Sequence, residues 1–140
     1  MKVEVGFPPN IEKIAEKFDL DSHHPVFTYG DTIYSPHGAG LSDDLVAHEM
    51  IHMAQQTKSP EIWWDRYLTD EEFRLDQELQ AYGVQYGFIC LSVKDRNARH
   101  RQLFRLATDL SSTLYGSLIP HSVAMRSIRA AAGVKDKHYK

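Results

Sequence analysis

The sequence predicts an α+β fold in which a small β-sheet or hairpin near the amino terminus precedes a mostly helical bundle. Residues 26–35 form two short runs rich in β-branched and aromatic side chains around Gly30-Asp31. From Ser42 onward, apolar residues recur at helical spacing between recognisable caps. The 140 residues hold no internal repeat, low-complexity tract or long linker, so one domain spanning 1–140 is expected, long enough for its own core.

Each element has a local reason. Asn10 follows Pro8-Pro9 as an N-cap, and Ile11, Ile14, Ala15 and Phe18 make one apolar helix face. Val26-Phe27-Thr28-Tyr29 and Thr32-Ile33-Tyr34-Ser35 then read as paired β segments, ended by Pro36 and the Gly38-Ala39-Gly40 bend. Ser42 caps the next helix, with Asp43 and Asp44 at its positive dipole end, and that helix runs to about Gln56. Ser59-Pro60 opens a short helix carrying Trp63 and Trp64. Thr69-Asp70-Glu71-Glu72 reads as a capping box with Thr69 at the cap, beginning a long helix through about Val93. Further helices are expected from near Asn97 to near Leu110 and from Pro120 to before Gly133, and the polar tail Lys135 to Lys140 is expected to fray.

Composition excludes several classes. Apolar residues make up 42% and charged residues 25% of the chain, which suits a soluble protein rather than a disordered or membrane one. A formal charge of -3 gives no overall nucleic-acid or membrane signature. The start, Met1 to Gly6, lacks the apolar stretch of a signal peptide, and Cys90 is alone; both fit a cytoplasmic location. Cys90 itself reads as a small core residue rather than a nucleophile.

The chemistry lies in His48-Glu49-Met50-Ile51-His52. Residues four apart stack on one helix face, so both imidazoles can reach one metal ion. Glu49 sits about 100° round the helix, at the rim of that face, where it can deprotonate a water rather than bind the metal. Glu49 is the only charged residue between Val46 and Ala54, as a buried metal-binding helix requires. A purely structural zinc site gains nothing from such a carboxylate, whereas water activation does.

A catalytic zinc keeps three protein ligands and one open position, so a third ligand must come from elsewhere. The acidic candidates are Glu71, Glu72, Asp76 and Glu78. Taking Glu78 as zero, Leu75, Tyr82, Tyr86, Ile89 and Val93 fall within about 80° of it, while Asp76 points to about 160°. Glu78 thus lies in an apolar stripe, where a lone carboxylate is costly and a metal ion is one remedy. Glu71 shares the face but sits in the first turn, where it is more simply a favourable N-terminal charge. The rival third ligand is His100.

With His48, Glu49, His52 and Glu78, the chain resembles the gluzincin metallopeptidases, in which a Glu on a following helix completes an HExxH site. Gln55 and Lys58 stand where metzincins have Gly and a third His, which excludes that family. A wider stretch, about residues 26 to 90, is similar to small peptidase-like proteins of tailed phages and bacteria. It comprises His48 to Gln56, Trp63-Trp64 with Arg66-Tyr67-Leu68, Phe73-Arg74, and Gln77-Glu78 with Ala81-Tyr82 and Gln85. The resemblance implies a minimal zincin-like domain, a Zn2+ cofactor, a peptide or protein substrate, and residence in a host cytoplasm or a virion. One position departs: the best-known gluzincins orient the first His with an Asp four residues after the ligand Glu, and here that residue is Tyr82.

The remaining polar residues are assigned smaller parts. Tyr115 and His121 are the candidates for stabilising an oxyanion, since zincins often recruit such a donor from later in the chain. An edge strand near residues 26–35 could hold an extended peptide by main-chain hydrogen bonds. Lys94, Arg96, Arg99, Arg101 and Arg105 read as a solvated helix face, with nucleic-acid contact of the SprT-like kind as the alternative. His23-His24 reads as an exposed loop, His37 as a turn residue beside the cleft, and Trp63, Trp64, Tyr67 and Phe73 as core or partner-facing aromatics. The expected function is therefore zinc-dependent peptide hydrolysis. The competing reading is a metal-binding structural or inactive virion-associated protein.

Overall fold

Backbone pairing in the first third of the chain builds a three-stranded sheet, and the regular elements described after it are helices. The computed structural model describes residues 1–21, 23–38 and 40–134. Ala39 of the predicted bend and the tail Lys135 to Lys140 lie outside the described residues. Strands β1 (Lys2–Glu4), β2 (Phe27–Tyr29) and β3 (Thr32–Tyr34) are ordered β1-β3-β2. β2 and β3 pair antiparallel as the expected hairpin, with Tyr29 opposite Thr32. Gly30 takes the first turn position at φ +63°, a left-handed conformation that favours glycine. β1 adds in parallel to β3 and was not foreseen, because three residues are too few to show a strand period.

Six α-helices follow the order expected from the caps. They are α1 (Ile11–Lys17), α2 (Asp43–Gln55), α3 (Pro60–Thr69), α4 (Glu71–Ser92), α5 (Arg96–Leu110) and α6 (His121–Ala131), with a 3-10 turn at Thr113–Tyr115. Of the expected caps, one is made, one moves by a residue and two make no side-chain bond. Ser59 accepts from the Ile62 amide with Pro60 in the first turn, as expected. At α4, however, the cap is Asp70, whose carboxylate accepts from the Phe73 amide; Thr69 closes α3 and donates its hydroxyl to the Asp65 carbonyl. A carboxylate outcompetes a hydroxyl at the positive end of a helix dipole. Asn10 and Ser42 stand at the starts of α1 and α2 but make no side-chain cap bond.

Two apolar clusters hold these elements. Tyr82, Tyr86 and Ile89 of α4 pack on Leu103, Leu106, Ala107 and Leu110 of α5 and on Ala124 and Ile128 of α6. Ile14, Phe18 and Phe27 pack on Trp63, Trp64, Tyr67 and Leu68 of α3. Each fully buried aliphatic side chain contributes about 1.5–3 kcal/mol of transfer free energy. Tyr115 touches both clusters, and between them α2 lies along α4 with β2 at its side. Cys90 packs half-buried against the first cluster, as a core residue. Among the described residues no helix is long and apolar enough to cross a membrane.

Candidate metal centre

α2 and α4 bring three side chains to one buried point. His48 and His52 project from α2 and Glu78 from the facing stretch of α4, each at most 5% exposed. Nε2 of His48 lies 3.2 Å from Nε2 of His52 and 3.3 Å from Oε1 of Glu78, and Nε2 of His52 lies 3.1 Å from Oε2 of Glu78. The stripe deduced for α4 is the buried face: Tyr82, Tyr86 and Ile89 are buried with Glu78, while Asp76, Glu71 and Glu72 are exposed. The rival His100 is exposed on α5 and does not enter the group.

Both imidazoles are fixed from behind. Nδ1 of His48 donates to Oε1 of Gln85 at 2.9 Å, and the amide nitrogen of Gln85 donates in turn to Asp44 at 2.9 Å. Nδ1 of His52 donates to Oε1 of Gln55 at 2.8 Å, whose amide nitrogen donates to the Gln77 carbonyl and to Gln80. Anchoring Nδ1 this way leaves Nε2 as the ligand atom on each ring. Gln85 thereby orients the His48 ring, while the Tyr82 ring packs edge-on against His48. Tyr67, expected as a core or partner-facing aromatic, donates its hydroxyl to Oε2 of Glu78 at 2.6 Å.

The donor set fits a metal ion. Two nitrogen lone pairs and a carboxylate cannot face one another at about 3 Å unless something positive lies among them. In the metal-free chain this is a proton. Burial opposes charge on His52, but the Glu78 charge and hydrogen bond outweigh it and raise its pKa to about 9. The same contacts, outweighing burial, hold the Glu78 carboxyl well below the usual carboxylate range. A tetrahedral ion with bonds of about 2.0–2.1 Å spaces its ligand atoms about 3.4 Å apart, close to the separations found. Among the described residues, Oε1 of Glu78 also has no hydrogen-bond donor although it is buried.

Glu49 stands beside this group rather than in it. Its Oε2 is 3.6 Å from Nε2 of His48, and its Oε1 accepts from the Thr28 hydroxyl at 3.0 Å. Burial raises its pKa, so the carboxyl is poised to accept and return a proton. Thr28 belongs to β2, which explains why the hairpin must lie against α2.

Two cavities meet at His48 and Glu49. One, about 50 Å³, is walled by Ile14, Phe18, Leu20, Phe27 and Trp64. The other, about 230 Å³, is polar and is bordered by Asp44, Gln85, Arg105 and Asp109. Tyr115 lines both and shares a hydrogen bond with Tyr82, hydroxyl to hydroxyl at 2.9 Å; burial and the Glu78 charge keep its phenol protonated. Arg74 anchors that turn, donating to the Tyr115 carbonyl at 3.1 Å and to the Tyr67 carbonyl at 2.6 Å.

Other expectations are corrected. His121, a candidate oxyanion donor, lines neither cavity: its Nε2 contacts the Thr108 hydroxyl and the Phe104 carbonyl, and its ring lies on Phe104. The start of α6 turns it toward α5, which chain position alone could not show. His37 is an exposed turn residue, as expected, and pairs with His24 at the surface, 3.2 Å between ring nitrogens. The free edge of β2 is partly taken. The Gln56 carboxamide accepts from the Gly30 amide and donates to the Thr28 carbonyl, which also accepts from Trp64. The Gly30 amide and the Thr28 carbonyl of that edge are thus already engaged. Gln85, Gln55, Tyr67 and Thr28 were not assigned to the site from sequence. Only Gln85 carried a signal, lying seven residues after Glu78 and so about 20° from it on the helix.

Comparison with family models, with curated proteins and with solved structures returns no match, so the reading of the site rests on its geometry.

Proposed function

We propose that this chain is a zinc-dependent peptidase, most simply an endopeptidase, with His48, His52 and Glu78 as metal ligands and Glu49 as general base. The observation that carries the reading is the division between three buried groups, two of them imidazoles anchored from behind, and a second carboxylate beside them that faces two cavities. Zinc bound there would supply Lewis acidity, easing deprotonation of a water and polarising a carbonyl.

The chain's own groups supply the rest. Glu49, held by Thr28, takes a proton from water as its oxygen attacks the carbonyl carbon. It then returns that proton to the leaving nitrogen as the C–N bond breaks. Tyr115, protonated and at the junction of the cavities, is the remaining candidate donor to the oxyanion. The small apolar cavity suits one side chain of the substrate rather than a long stretch of it.

Two measurements test this. Metal analysis should give one zinc per chain, lost in Glu78→Ala and kept in His100→Ala. On an unfolded-protein or peptide library, Glu49→Gln should keep zinc and lose about 10²- to 10⁴-fold in turnover. A wild-type protein that cleaves nothing in such a library, or a Glu49→Gln variant as fast as wild type, would replace the enzyme with a structural metal protein.

A further inference from the structure

We propose that the outer edge of β1, unpaired among the described residues, is a self-association surface, on which a second copy of this chain adds its own β1 antiparallel about a twofold axis at Val3. β1 borders the sheet, on the side opposite the β2 strand that serves Glu49. The Lys2 amide donates to the Asp31 carbonyl at 2.9 Å, and the Glu4 carbonyl accepts from the Ser35 amide at 2.8 Å. The backbone groups of Lys2 and Glu4 therefore face β3. Alternate residues of a parallel ladder face opposite sides, so the N–H and C=O groups of Val3 and Val5 point outward. Met1, Val3 and Val5 are also 64%, 53% and 75% exposed. An unpaired edge carrying apolar side chains is a pairing template.

The side chains select both the occupant and the register. Antiparallel pairing about Val3 sets Val3 against the partner's Val3, Met1 against the partner's Val5, and Lys2 against the partner's Glu4. Apolar residues then meet on one face and opposite charges meet on the other, twice by symmetry. The Val3 and Met1–Val5 pairs also become the hydrogen-bonded ones, as their outward backbone groups require. A slip of one residue sets valines against charges. A shift of the axis to Lys2 or Glu4 sets like charges against each other. A second copy thus satisfies every position of the edge in a single register.

The edge is short, so half-association belongs in the range of about 10 to 500 µM. Sedimentation velocity of the full chain from about 5 to 500 µM should show a reversible monomer–dimer equilibrium. Lys2→Glu and Glu4→Lys should each weaken it about tenfold, and the double variant should recover to within about threefold of wild type. Val3→Pro removes an outward amide but none that bonds β3, so it should remain monomeric with an unchanged circular-dichroism spectrum. A wild-type chain that stays monomeric throughout would overturn the proposal. So would two single variants without effect, or a double variant weakened additively without recovery.

Discussion

His52 offers the sharpest test of the centre, because in the metal-free chain a proton holds the place a metal would take. Its pKa of about 9 exceeds the ordinary 6.5, so the charged ring contributes stability fully below about pH 6.5 and loses it as pH rises through about 9. Glu78, depressed, contributes stability above about its ordinary 4.5 and loses it as pH falls further. Both are one ion pair, counted once. The His52 gap corresponds to about 3 kcal/mol, on a conversion of about 1.4 kcal/mol per pKa unit. Chelated protein should therefore be most stable between about pH 4.5 and 6.5 and should lose roughly 2 to 3 kcal/mol by about pH 9. At pH 8 His52 is about 90% protonated, against about 3% for an ordinary histidine. Metal must then displace that proton, so affinity should rise about tenfold per pH unit up to about 9. Denaturant melts across pH, with a nitrogen-15 titration of the imidazoles, read both effects. In Glu78→Gln, burial loses its largest opponent and faces the Glu49 charge and the Gln55 hydrogen bond, so the His52 midpoint should fall and the alkaline loss should shrink. A wild-type His52 midpoint near 6.5 with stability flat from pH 6 to 9 would refute the reasoning.

Gln85→Leu removes the acceptor that orients His48, so zinc affinity should fall about 10- to 100-fold in a competition titration while the fold is retained. Tyr115→Phe should lower kcat about 10- to 100-fold with zinc content unchanged; an unaltered kcat would remove Tyr115 from the mechanism. Arg74→Ala leaves the Tyr67 and Tyr115 carbonyls without their donor and should destabilise by about 3 kcal/mol in chemical denaturation. Gly83→Ala places a methyl 2.8 Å from Cβ of Ala131 and 3.0 Å from its backbone carbon, so α6 must move off α4 at a cost of about 1–3 kcal/mol, read as a lowered melting temperature.

Periodic and local features were legible in the chain itself. Helical spacing and caps located α2 through α6, the Gly30-Asp31 turn located the hairpin, and a four-residue interval put His48 and His52 on one face. The buried face of α4 singled out Glu78 because helix geometry is the same wherever the helix is placed. What spans elements was not legible. β1 exists only because β3 pairs with it, Thr28 meets Glu49 only because the hairpin lies against α2, and Tyr67 reaches Glu78 only through the packing of α3 on α4. His121 lies away from both cavities for the same reason: the α5–α6 packing, not its place late in the chain, sets its neighbours. Sequence fixes what repeats within one element, since backbone geometry imposes the period. Contacts between elements depend on how buried surfaces fit together, and that fit is decided only when the whole core closes.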